Sequence, residues 1–208
     1  MRRSLALIAV VAIAAPSLAQ DSGADVRLAF ERYRASVLAG DGPGAVGAVS
    51  ASTVAYYGRT VDLALDADSA DVAALPFMDQ VMALTLRHRL TPTVLRGLDG
   101  AAALRVGVEK GWVDMDSMEG MDIGEVDIEG DLAIGELVMR GERLEEVWLR
   151  FEREGGKWRV DMTSMMEMVS IAMTRLGPDD PSPRQMLRLM LEAAGGPLPD
   201  DLWHPVGR

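Results

Sequence analysis

The chain lacks cysteine, an excess of positive charge and, beyond its first residues, any long apolar run, and each absence removes a class of protein. With no Cys in 208 residues, neither a disulfide framework nor thiolate chemistry is available, so the fold must rest on its apolar core. Lys and Arg number 21 against 32 Asp and Glu, a formal charge of −11. A surface of that sign repels nucleic-acid phosphates and anionic lipid headgroups. No Gly-rich turn ends in Gly-Lys-Ser/Thr and no Gly-x-Ser-x-Gly elbow is present, so nucleotide loops and the common serine nucleophile have no signature, and the sequence implies no cofactor. What remains is 49% apolar and 25% charged, the composition of a folded globular chain rather than a disordered or collagen-like one.

Residues 1–19 read as an export signal: Arg2 and Arg3 precede an apolar run from Leu5 to Ala15, and Ser17 and Ala19 are the small residues of a cleavage site. The run falls short of the ~20 apolar residues that span a bilayer. The expected product begins near Gln20, periplasmic or secreted, with no stable membrane insertion. Loss of Arg2 and Arg3 leaves 19 basic residues against 32 acidic ones, a charge of −13.

From residue 20 the sequence predicts one α+β domain: helices over 20–111, an antiparallel sheet over 122–163, helices over 164–195 and an irregular tail over 196–208. Val26, Phe30, Tyr33 and Val37 form one helical stripe that stops at Gly40-Asp41-Gly42-Pro43. Ser52 is a candidate cap for a second helix with Val54, Tyr57, Val61 and Leu65 on one face. A third carries Phe77, Val81, Leu84 and His88 and ends before Thr91-Pro92, because the residue before Pro disfavours the α region. The period then changes to alternation, interrupted at Glu129-Gly130-Asp131, Arg140-Gly141-Glu142 and Glu154-Gly155-Gly156-Lys157, which predicts four antiparallel strands. Helix resumes at Ser164, where Ser164 and Glu167 have capping-box spacing, and again at Ser182-Pro183. Trp203 in the tail is expected to dock.

The segment from Leu144 to Met162, with its Glu154-Gly155-Gly156-Lys157-Trp158 turn, resembles the closing hairpin of nuclear transport factor 2-like domains. The resemblance implies N-terminal helices packed on a curved four-stranded antiparallel sheet around an apolar pocket, here with extra C-terminal helices. That superfamily hosts isomerases, dehydratases, adaptors and non-catalytic ligand binders, so it transmits no single function. In its ketosteroid isomerase branch a Tyr and a carboxylic acid stabilise an enolate while an Asp moves the proton. Tyr33, Tyr56, Tyr57 and Asp161 are the candidates for such roles.

Two local features invite a metal. Asp114 to Asp131 holds eight carboxylates and no Lys or Arg, but as a calcium loop it fails: Met118 stands at position 5 and Glu119 where the turn needs Gly. The plainer reading is a strand whose Glu125, Asp127 and Glu129 face water while Val126 and Ile128 face inward. Met115, Met118 and Met121 are spaced for a soft copper(I) site, although Met is equally an adaptable filler of cores and pockets. Arg87-His88-Arg89 at a helix end is explained by the helix dipole and the last free carbonyls, with anion or carboxylate recognition by the cluster as the alternative.

The absence of a catalytic motif favours a non-catalytic exported protein that binds an apolar small molecule, lipid or peptide, or docks on an envelope partner; a homodimer is left open. The pocket lining expected is Tyr33, Tyr57, His88, Trp158, Val160, Met162 and Met165. The alternatives are an isomerase or dehydratase of the ketosteroid isomerase kind, and copper(I) binding through methionines.

Overall fold

A computed structural model describes residues 23–112, 115–175 and 182–206; the expected signal at 1–19 and the start at Gln20 lie outside them. The first helix, α1 (Gly23–Leu38), buries Val26, Phe30, Tyr33 and Val37, as their spacing predicts. Gly40 ends it at a φ of +65°, which glycine adopts without Cβ strain. Asp41 then caps a short helix the periodicity does not announce, α2 (Gly42–Ala48): its carboxylate accepts from the Gly44 N–H at 3.0 Å, and Pro43 sits in the first turn, where no N–H is needed.

Helix α3 (Ala51–Asp66) starts at Ser50 rather than Ser52. The Ser50 hydroxyl accepts from the Thr53 N–H at 3.3 Å, while Ser52 donates outward to the Glu152 carboxylate at 3.0 Å. Next come α4 (Ser69–Ala74), opened by an Asp68–Asp71 capping box, α5 (Phe77–Arg89), α6 (Pro92–Leu95), α7 (Gly100–Glu109) and α8 (Met115–Gly120). Helices α3 and α7 cross closely at two glycines: a Cβ on Gly100 would lie 2.1 Å from the Val54 carbonyl oxygen and 2.7 Å from the Gly58 nitrogen.

The sheet is an antiparallel meander in the order β1 (Met121–Glu129), β2 (Leu132–Met139), β3 (Glu142–Glu154) and β4 (Lys157–Asp161). Register slips between Ile123 and Val126 and between Glu136 and Val138, and Glu146 takes a φ of +60°; such bulges add twist and bend to a strand pair. Along β1 the residues Glu125, Asp127 and Glu129 are exposed, while Val126 and Ile128 pack against the core. The inner face sets Leu149, Phe151 and Val160 against Phe30 and Val37 of α1.

After the sheet, α9 (Thr163–Thr174) begins without the Ser164–Glu167 box. Ser164 is buried, donating to the Asp161 carbonyl at 3.0 Å and accepting from the Arg150 N–H at 3.1 Å, so its hydroxyl ties the helix to β3. The Asp161 carboxylate takes the Thr163 N–H instead, at 2.9 Å. At α10 (Pro183–Gly195) the Ser182–Gln185 box is formed. Leu187 and Leu191 of α10 join Val72, Leu84 and Leu202 in a second core, and Trp203 packs half-buried against it with the Arg184 guanidinium 5.5 Å from its ring centre. Among the described residues no helix is long and apolar enough to cross a membrane.

Candidate functional site

Methionine is the residue that the fold gathers. Among the described residues, eight methionines line one cavity of about 370 Å3 between the helices and the end of the sheet. Met78 and Met82 come from α5, Met118 from α8, Met121 from the start of β1, Met162, Met165 and Met166 from the β4–α9 junction, and Met190 from α10. Met190 is 39% exposed, whereas Met118, Met121 and Met162 are buried, so the thioether wall runs from the core to the surface. A volume of this size is that of a small-molecule site, and unbranched thioethers adapt to irregular shapes.

Among the described residues, four polar side chains interrupt this wall: Tyr33, Tyr57, Thr85 and Arg89. Tyr33 stands on the buried stripe of α1, 2% exposed, and burial, with a smaller contribution from Tyr57, raises its phenol well above the usual value. Burial likewise pushes Tyr57 up to about 12. Neither hydroxyl hydrogen-bonds to another described residue. Arg89, the last residue of α5, lies with its guanidinium 5.1 Å from the Trp112 ring centre, and both residues belong to the wall.

The third tyrosine faces elsewhere. Tyr56 donates to Asp79 at 2.8 Å across a neighbouring cleft of about 340 Å3 that also takes in Arg59, Thr163 and Glu167; Met166 belongs to both walls. Hydrogen bonding to Asp79 adds to burial in raising the Tyr56 phenol.

Asp161 is not on the cavity wall. It is 1% exposed and accepts from Arg150 Nε at 2.6 Å and from the Thr163 hydroxyl at 2.7 Å as well as the Thr163 N–H. Among the described residues no Asp or Glu lines the cavity, so Asp161 does not meet Tyr33 or Tyr57 in its wall. Tyr33, Tyr57, Met162 and Met165 do meet in the wall, whereas His88, Trp158 and Val160 stay outside it. Val160 is fully buried in the sheet core, and Trp158 packs at the edge of that core with the Arg153 guanidinium 5.4 Å from its ring centre. His88 keeps both ring nitrogens buried with no hydrogen-bond partner among the described residues.

On α5 the wall residues are Met78, Val81, Met82, Thr85, Leu86 and Arg89, of which Met78, Met82, Thr85 and Arg89 fall at i, i+4, i+7 and i+11. That stripe has helical spacing of its own beside the apolar one that ends in His88. Sequence reasoning passes over it because Thr and Arg break its hydrophobicity, and only the neighbouring elements show which stripe meets a cavity. Arg87 also departs from the helix-end role expected of it: its guanidinium donates to Ala64 O at 2.7 Å and Leu63 O at 3.0 Å, and to Ala67 O, closing the carboxyl end of α3 rather than its own helix. Of the copper candidates, the Met118 and Met121 side chains are in the wall and that of Met115 lies outside the described residues. Among the described residues no group of three or more His, Asp or Glu is placed to hold a metal ion. No family model matches the chain, and no curated protein or solved structure matches it.

Proposed function

We propose that this is an exported, non-catalytic binding protein whose methionine-lined cavity holds an apolar small molecule. The observation that carries the reading is the cavity itself: about 370 Å3 walled by eight thioethers in a chain whose core elsewhere is filled by Leu, Val and Phe. An open, thioether-lined space of this size suits an apolar small molecule, because unbranched side chains adapt to the shape they receive. The likeness of the closing hairpin to nuclear transport factor 2-like domains supports the same reading, because pockets between helices and a curved sheet recur there. An isomerase has less support, since the described wall offers donors and no carboxylate base.

The test combines native mass spectrometry of the exported protein, purified without detergent, with a variant that occupies the space. Gly107 belongs to the wall, and a Cβ there would meet nothing nearer than Trp112 Cε3 at 3.8 Å. The wild type is expected to carry a discrete mass excess of an apolar compound, and Gly107→Leu to carry less of it while remaining folded. An excess equal to copper would move the assignment to a thioether metal site. Wild-type protein at the bare sequence mass that also takes up no added hydrophobic ligand would overturn the proposal.

A further inference from the structure

We infer that the outer face of the sheet is a docking surface for a basic segment of a partner protein, which sets apolar side chains on Leu132 and Ile134 and a Lys or Arg over Trp148. The surface shares no residue with the methionine cavity. Alternation in β2 sends Ala133 to the core and leaves Leu132, Ile134 and Glu136 on the other face, where the register sets Glu152, Arg150 and Trp148 of β3 beside them. Leu132, Ile134 and Trp148 are 46–52% exposed. Single exposed apolar residues are ordinary, but a group of them on one face marks an interaction site. Ile134 and Trp148 line a groove of about 300 Å3 whose residues flank both register slips of the sheet. Glu146, with its φ of +60°, lines it too, a backbone conformation that few non-glycine residues adopt.

Charge selects the occupant. Among the described residues Glu125, Asp127, Glu136 and Glu146 line the groove and no Lys or Arg does. Arg143 beside it is already engaged, 2.6 Å from the Glu136 carboxylate and 3.7 Å from that of Glu125. Arg150, on the same face, is held by Asp161 at 2.6 Å. Asp127 and Glu146 have no ion-pair partner among the described residues. A second copy of the chain would bring the same carboxylates against these, and an anionic lipid surface would be repelled in the same way. A basic segment instead meets complementary charge, and a guanidinium or ammonium over an exposed indole gains a cation–π contact, for which Trp is the best ring. Arg143 is the internal precedent for a guanidinium received by these carboxylates. The apolar side chains supply the area that a purely electrostatic contact lacks.

The probes are an acetylated, amidated octapeptide of alternating Arg and Val and its Glu–Val counterpart, titrated calorimetrically into the exported chain. The variants are Trp148→Ala, the groove pair Asp127→Asn/Glu146→Gln, and Asp62→Asn/Asp66→Asn, which removes two exposed carboxylates of α3 outside the groove. The Arg–Val peptide is expected to bind wild type, and Trp148→Ala and the groove pair each to weaken it about tenfold or more, as loss of a cation–π contact or of two charge pairs implies. The α3 pair should weaken it less than about twofold. If Trp148→Ala fails to fold, the groove pair supplies the readout. Equal weakening by the α3 pair would mean attraction to an acidic surface at large and overturns the proposal, as does equal binding of the Glu–Val peptide or no binding of the Arg–Val one. In sedimentation the peptide-free chain is expected to be monomeric. A dimer that Trp148→Ala dissociates would give the face to a second copy and overturn the assignment of a basic partner.

Discussion

Asp161 shows how a residue suggestive of catalysis acquires a structural role from its surroundings. Its carboxylate is 1% exposed and joins β3 through Arg150, the first turn of α9 through Thr163, and α3 through a longer contact of 3.5 Å from the Thr53 hydroxyl. Asp161 is buried but its partner Arg150 is 38% exposed, so water screens the guanidinium once the carboxylate charge is gone, and the main loss is of hydrogen bonds to a charged acceptor. Asp161→Asn is therefore expected to lower stability in urea by about 1–2 kcal/mol without changing the ligand preference of the cavity. A variant as stable as wild type but altered in binding would return Asp161 to the site. Trp158 and Val160, its neighbours in β4, were expected in the pocket lining and instead close the sheet core, and no sequence pattern states which groups meet a carboxylate at a strand end. Arg87 and Arg89 make the same point. Two residues apart on one helix, the first closes α3 and the second lines the cavity, since their side chains leave the helix about 200° apart.

At the scale of the element, α7 sets two glycines against opposite demands. Gly100 opens the helix where it crosses α3, and even a methyl group there would strike the Val54 carbonyl. Gly107 lies further along, beside the cavity, with room for a side chain. Gly100→Ala is expected to cost about 1–3 kcal/mol, the range for overpacking, whereas Gly107→Ala should add about 0.5–1 kcal/mol by relieving the backbone-entropy cost of glycine within a helix. Thermal unfolding of the two single variants checks the pair, and equal effects would contradict the crossing geometry. Amphipathic stripes and turn glycines were sufficient to locate α1, α3, α5, α10 and all four strands. The short α2 and the start of α3 were misread, because capping by Asp41 and Ser50 depends on which of several adjacent polar side chains turns back toward the helix.

For the whole molecule, the three tyrosines offer a common readout of integrity. All three are raised above the ordinary value of 10.0: Tyr57 to about 12, and Tyr33 and Tyr56 further. Below pH 10 the phenols are protonated in both folded and unfolded chains, and stability is unaffected by them. Above it, the unfolded chain releases protons that the folded chain retains, so stability falls as pH rises from 10 through about 12 and beyond. Ultraviolet titration should show little tyrosinate at pH 10.5, followed by cooperative ionisation of all three as the protein unfolds. Ordinary titration near 10 in a chain still folded by circular dichroism would show that the phenols are not buried as described.

The sequence by itself determined the α+β class, the order of helices and strands, the antiparallel meander and the solvated acidic face of β1, because these follow from periodicity and turn chemistry among residues close in the chain. Tertiary structure alone decided that methionines from α5, α8, β1, α9 and α10 share one cavity, that Tyr33 and Tyr57 enter it while Tyr56 turns to Asp79, and that Arg89 rather than His88 reaches its wall. Those choices are made by the rotation of each helix against its neighbours. A rotation of one residue, about 100°, moves a different stripe into the cavity and leaves the local pattern of the sequence unchanged.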